Sequence, residues 1–199
     1  MNNPVIQSLR TRRSQYALGR NVGQSPAEIE ALIKEAIRWS PSSFNSQSSR
    51  AVILHGEQSV AFWDIVKDEL RKIVPADAFA ATEGKINSFA AGTGTVLFYE
   101  DQDVVKGLQE QFPLYADNFP VWAEQGSGIA QYAVWVALSE AGIGASLQHY
   151  NPLPDAAVAA RWGVPASWKL RAQMPFGSNE AGFGEKGFID NATRFIVAG

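Results

Sequence analysis

Arg10, Arg12 and Arg13 fall within four positions and are followed at once by Ser14. Guanidinium forks beside a hydroxyl suit an anion such as a phosphate, because each fork holds paired N–H donors in a fixed plane. A solvated basic turn has the same composition. Residues 40–50, SPSSFNSQSSR, concentrate small hydroxyl and amide side chains. Such groups satisfy the backbone where one element stops and another starts, and they can equally read the polar edge of a heteroaromatic ring. A third stretch, ASLQHYN at 145–151, sets Gln148 and His149 at the expected end of a strand. Strand ends favour ligand sites in open sheets, although a lone histidine there can also be a packed structural residue. The three stretches make one site only if the fold brings them together.

Other chemistries find less support. The chain has no cysteine and two histidines, so thiolate sites and a Cys nucleophile are excluded and no metal site is expected. GTGTVL at 92–97 lacks the third glycine of a dinucleotide fingerprint and enters a strand instead of leaving one, which predicts a turn before a strand. No Gly-x-Ser-x-Gly elbow occurs, which leaves His149 without a nucleophile to serve. A net charge of −3, with basic residues scattered beyond the N-terminal knot, argues against nucleic acid. The N-terminus lacks the pattern of a signal peptide, and no apolar run approaches the ~20 residues that span a bilayer. A cytoplasmic protein is the expectation.

These stretches must be held by regular elements. Ile29, Leu32, Ile33, Ala36 and Ile37 recur with helical period behind Ser25 as N-cap and Pro26 at the first helical position. RAVILHG at 50–56 reads as a buried strand, 59–73 as a second helix, and TVLFYE at 95–100 as the strongest strand. Asp101 caps a short helix. From Val121 to Ala141 a long helix is predicted, apolar on nearly every face after Gly128, which buries it in a core or against a partner. ASLQHYN is predicted as a strand running into a loop at Asn151 and Pro152. Residues 154–165 read as a short helix, SWKLRAQMPFG as a strand, and ATRFIVAG at 192–199 as a last short strand. This order predicts one domain over residues 1–199, α+β or α/β, with a central sheet of about four or five strands.

In their order along the chain, RRSQY, SPSSFNSQ, the glycine before TVLFYED, the long buried helix, GIGASLQHYNP and the late Lys186 resemble the nitroreductase family of flavoproteins over almost the whole length. More narrowly, GTVLFYED, YADNFPVWAEQ, ASLQHYNP and SWKLRAQMPFG are similar to the branch typified by the fatty-acid-repression-mutant and homologous-to-nitroreductase proteins. The resemblance implies an α+β nitroreductase-like fold with a central, mainly antiparallel sheet flanked by helices. It also implies a homodimer formed through long helices, with FMN in sites shared between the subunits. NADH or NADPH would be the transient donor, and nitroaromatic or quinone-type acceptors would be reduced by ping-pong hydride transfer. A flavin-binding redox sensor or regulator with incidental reductase activity is the second reading.

The same resemblance implies the cofactor-binding positions. Arg12, Arg13 and Ser14 match the family's contacts to the flavin phosphate and ring edge, and Tyr16 stands where many members carry Lys or Arg. Pro41, Ser42, Ser43 and Asn45, followed by Gln47, match the segment that approaches FMN from the other subunit. Asn87 is the candidate for the pyrimidine edge. Leu147, Gln148 and His149 match the strand end near the reactive flavin nitrogen, and Lys186 matches a late basic residue for the phosphate. No side chain is assigned as catalytic. Where the family pattern continues from NSQ with Pro-Trp, this chain has Ser48 and Ser49.

Overall fold

A computed structural model of the chain describes residues 3–199. Its spine is β3 (Gly94–Asp101), buried at every position but the last. Successive side chains of a strand point to opposite faces. Val96 and Phe98 therefore enter a core shared with α2 (Pro26–Arg38) and α6 (Phe119–Glu140). Leu97 and Tyr99 enter a second core with α3 (Glu57–Arg71), α4 (Phe79–Ala90) and α7 (Asp155–Trp162). A sheet covered on both faces explains why this strand reads as a continuous apolar run.

β3 lies between β2 (Ser49–His55) and β5 (Trp168–Asn179), and β5 also pairs with β4 (Gly144–Ala145) and β1 (Leu18–Gly19). The sheet has five strands, and all pairings between these strands are antiparallel, as expected. The β3–β5 register slips between Phe98 and Tyr99, whose partners are Ala172 and Leu170. The extra residue is Arg171, a bulge that re-aims a side chain. Its Nε donates to Glu124 of α6 at 2.8 Å.

Local chemistry sets the helix boundaries. Ser25 caps α2 in a full capping box with Glu28, which leaves both end groups paired. Asp101 caps α5 (Gln102–Gln111) by accepting the Asp103 N–H. Gly142, at φ +77°, lets the chain turn out of α6 in a conformation that glycine adopts freely. One face of α6 is buried through Ala130, Val134 and Leu138, while Val121, Ile129 and Tyr132 on its other face are exposed. The short α1 (Pro4–Thr11) likewise leaves Val5, Ile6 and Leu9 exposed. Gly94 is required by packing: a Cβ there would lie 2.6 Å from the Leu54 carbonyl oxygen. The glycine pair of GTGT thus serves strand crowding, in line with the turn-and-strand reading.

Two segments differ from expectation. In ASLQHYN only Ala145 belongs to a named strand, and beyond it a single bridge joins Gln148 to Gln173. The strand expected over 192–199 does not form: Asn191–Arg194 is a short helix, α8, capped by Asp190, and Phe195, Ile196 and Val197 are exposed. β-branched residues favour a strand only where a neighbour completes the ladder, and no described strand pairs with this segment. No helix among the described residues is long and apolar enough to cross a membrane.

Candidate functional site

The sheet draws two of the three polar stretches together. Ser14 forms a parallel bridge with Ala145, and the Gln15 N–H donates to the Ala145 carbonyl at 2.9 Å. The Arg12–Ser14 run therefore lies alongside the segment that continues to Leu147, Gln148 and His149. Gln15, which sequence reasoning passed over, is the buried pin of this junction. Its Nε2 donates to Ala181 O at 2.6 Å and its Oε1 accepts from Ala17 N at 3.0 Å.

Arg12 lies against α6, its guanidinium carbon 4.3 Å from the Trp135 ring centroid and 5.6 Å from that of Tyr132. Its Nε is buried with no hydrogen-bond partner among the described residues. A buried, unpartnered donor is unfavourable unless something accepts from it. The donor set thus fits an anion such as a phosphate. Arg13 Nη2 donates to Gly184 O at 2.7 Å and its guanidinium lies 5.8 Å from the Phe183 ring. This contact draws the loop that carries Lys186 toward the N-terminal stretch. Lys186 is exposed, with Nζ 5.4 Å from the Phe188 ring centroid. Tyr16 is exposed as well.

Gln148 is buried; its N–H donates to Gln173 O at 2.7 Å and its Nε2 to Ser146 Oγ at 3.0 Å. Leu147 is half-buried and His149 points to the surface. Asn87 sits on α4, which packs on the opposite face of the sheet from α6, and its Oδ1 accepts from Lys67 Nζ at 3.1 Å.

Pro41–Gln47 stands apart within the chain: no hydrogen bond or ion pair among the described residues joins it to Arg12–Ser14 or Leu147–His149. Its backbone is unusual. Phe44, Asn45 and Gln47 have φ of +56°, +49° and +48° without being glycine. Left-handed backbone costs an L-residue about 1–2 kcal/mol, and such strain persists only where the surroundings impose it. Here Ser42 Oγ accepts the Gln47 N–H at 2.9 Å, Ser42 O accepts from Asn45 N at 3.0 Å, and Ser43 O from Ser46 N at 3.1 Å.

The strain presents Phe44 as the hub of an aromatic group. Its ring centroid lies 5.0 Å from Phe112, 5.2 Å from Phe119, 5.9 Å from Trp122 and 6.2 Å from Tyr115. Phe44 and Tyr115 stay partly exposed. Beside them, Pro41, Ser42, Ser43, Trp122 and Gly126 line an open hollow of about 270 Å³. Only the spacing of Phe112, Tyr115, Phe119 and Trp122, by three, four and three, hints at this group in the sequence.

Behind the loop, Glu100 is fully buried on β3. Its Oε2 accepts from Ser48 Oγ at 2.6 Å and its Oε1 from Ser49 Oγ. Burial pushes its carboxyl above the ordinary range; the two serine hydrogen bonds oppose this, Glu124 adds to it, and Arg50 opposes it.

The sequence model of the group described as the nitroreductase family matches residues 9–178. HBN1 of Saccharomyces cerevisiae is 37% identical over 191 residues, which cover 94% of this chain and 93% of that protein. Nitroreductase FRM2 of the same yeast is 31% identical over the same shares. The nitroreductase CinD of Lactococcus lactis, solved in complex with nicotinic acid, is 58% identical and superposes with a TM-score of 0.91 over 98% of this chain and 99% of that one. Its complex with 4-nitrophenol is 57% identical, with a TM-score of 0.89 over the same shares.

Proposed function

Because the chain belongs to the nitroreductase family, we propose that it is an FMN-dependent oxidoreductase that takes electrons from NADH or NADPH and reduces nitroaromatic or quinone-type acceptors. When bound, FMN supplies the two-electron chemistry between donor and acceptor. The chain's own residues bind and orient. Arg12, wedged against Trp135 and Tyr132, meets the phosphate with its free Nε, and Arg13 ties down the loop through which Lys186 adds positive charge. Ser14 and Leu147–His149 run along the ring edge. The observation that carries the reading is the Ser14–Ala145 bridge, which places a buried, unpartnered arginine donor beside the end of the sheet.

The separation of Pro41–Gln47 from that cluster supports a site shared by two copies, in which the loop of one subunit covers the flavin held by the other. Exposed apolar residues on α1, at the C-terminal end of α2 and on α6 support the same assembly: Leu9, Trp39, Ile129 and Tyr132 help line a groove of about 450 Å³. The aromatic group around Phe44 suits a flat acceptor, and the 4-nitrophenol complex of CinD supports that substrate class.

An absorbance spectrum of the purified protein tests the reading. The oxidised flavin bands are expected with about one FMN per chain, bleaching under anaerobic NADH or NADPH and returning on addition of 4-nitrophenol. Colourless protein that also takes up no added FMN defeats it.

A further inference from the structure

Ser48 and Ser49 follow the Pro41–Gln47 loop directly, and both hydroxyls turn onto one carboxylate. Glu100 is fully buried, and no cation bonds to it among the described residues. The nearest candidates are engaged elsewhere. Arg50 donates to Asp101 Oδ2 at 3.1 Å and to Gln47 O at 2.6 Å, while Glu124, from α6, is paired with Arg171. Lys169, which faces Glu100 in the β3–β5 register, makes no ion pair with it. A buried carboxylate without a cation is an unfavourable element for stability alone. What it does achieve is local. Ser48 is held twice, through Glu100 and through the Asp101 N–H, which donates to Ser48 O at 3.0 Å. Ser48 immediately follows Gln47, the last of the three left-handed residues, and Ser46 Oγ lies 3.5 Å from Ser48 Oγ.

We propose that Glu100 is a positioning residue for the Pro41–Gln47 loop: by accepting the Ser48 and Ser49 hydroxyls it clamps the loop's exit, holds Phe44 in place, and sets acceptor affinity without touching the acceptor. This rests on the reading of that loop as a wall of the flavin site. The ionised carboxylate offers acceptors to both serines. A protonated one turns an oxygen into a donor, so one serine must rotate to accept from it and that serine's hydroxyl no longer donates to a charged oxygen.

Glu100→Gln keeps the shape but not the pair of acceptors. Hydrogen exchange is measured on the Asn45, Ser46 and Gln47 amides, all of them hydrogen-bonded in the folded loop. Faster exchange there without a lower melting temperature is expected, together with a KM for 4-nitrophenol about 3- to 10-fold higher, the size of one hydrogen bond, and kcat little changed. As pH falls, wild-type KM is expected to rise relative to that of Glu100→Gln, the comparison cancelling the ionisation of 4-nitrophenol itself. Ser48→Ala, which leaves the carboxylate in place, should loosen the same amides and serves if the Gln variant does not fold. Exchange at the wild-type rate in these variants overturns the proposal, as does an unchanged KM in FMN-loaded protein. Faster exchange in protein that binds no FMN supports the clamp and removes instead the flavin reading of the loop.

Discussion

At the scale of single residues, the loop's strain and the buried charges make separable predictions. Phe44 at φ +56° should discriminate between Gly and Ala: both lose the aromatic contacts, but only Gly relaxes the backbone. Phe44→Gly is therefore expected to be about 1–2 kcal/mol more stable than Phe44→Ala in urea unfolding; equal stabilities would mean that the backbone there is not strained. Arg12→Ala should weaken FMN binding about 10- to 150-fold, the value of one or more charge-assisted contacts, measured by fluorescence titration. Unchanged affinity places the phosphate elsewhere. Glu100 gives a pH dependence of stability. Its folded carboxyl titrates above the ordinary value of 4.5, so as pH rises from there the unfolded chain releases a proton that the folded chain keeps. Stability falls with rising pH until the folded group itself titrates. Glu100→Gln should flatten that slope in unfolding experiments from pH 4.5 to neutrality, and a persisting slope assigns it to other groups.

At the scale of elements, β3 dictates the tolerance of its neighbours. Gly94→Ala must push aside the Leu54 carbonyl and the Phe176 ring, and a loss of about 1–3 kcal/mol is expected in thermal unfolding; a neutral effect would show the strand edge to be looser than its geometry. Elements that declare themselves through local chemistry were legible in the sequence: α2 through Ser25 and Pro26, α5 through Asp101, β3 through its two-faced burial. Those defined by distant partners were not. β4 is two residues long because Ser146–Gln148 follows Gln173 through an irregular pairing instead of a ladder. The left-handed loop was invisible because Phe44, Asn45 and Gln47 carry none of the glycine that usually marks such backbone. Glu100 read as the polar end of a strand, and only its pairing opposite Ser49 reveals that it is interior. The three polar stretches were recognisable by type, but their assortment, two on one side and one apart, needed the fold.

At the scale of the whole molecule, the exposed faces of α1 and α6 should respond as an interface. Ile129→Asp places a charge in the groove beside Tyr132 and is expected to sediment as a monomer and to release FMN; a flavin-loaded dimer in that variant would move the interface elsewhere. The hydrogen bonds that gather the proposed phosphate end are also long in sequence. Arg13 reaches Gly184 and Gln15 reaches Ala181, separations of 171 and 166 residues. Loops of that size close late in folding, because their entropy is lost before the contacts can compensate. On the proposed reading this end of the site cannot close until residues 181–184 have joined it, so a chain cut before Ala181 is expected to purify without flavin, and FMN bound to such a chain would move the phosphate site elsewhere.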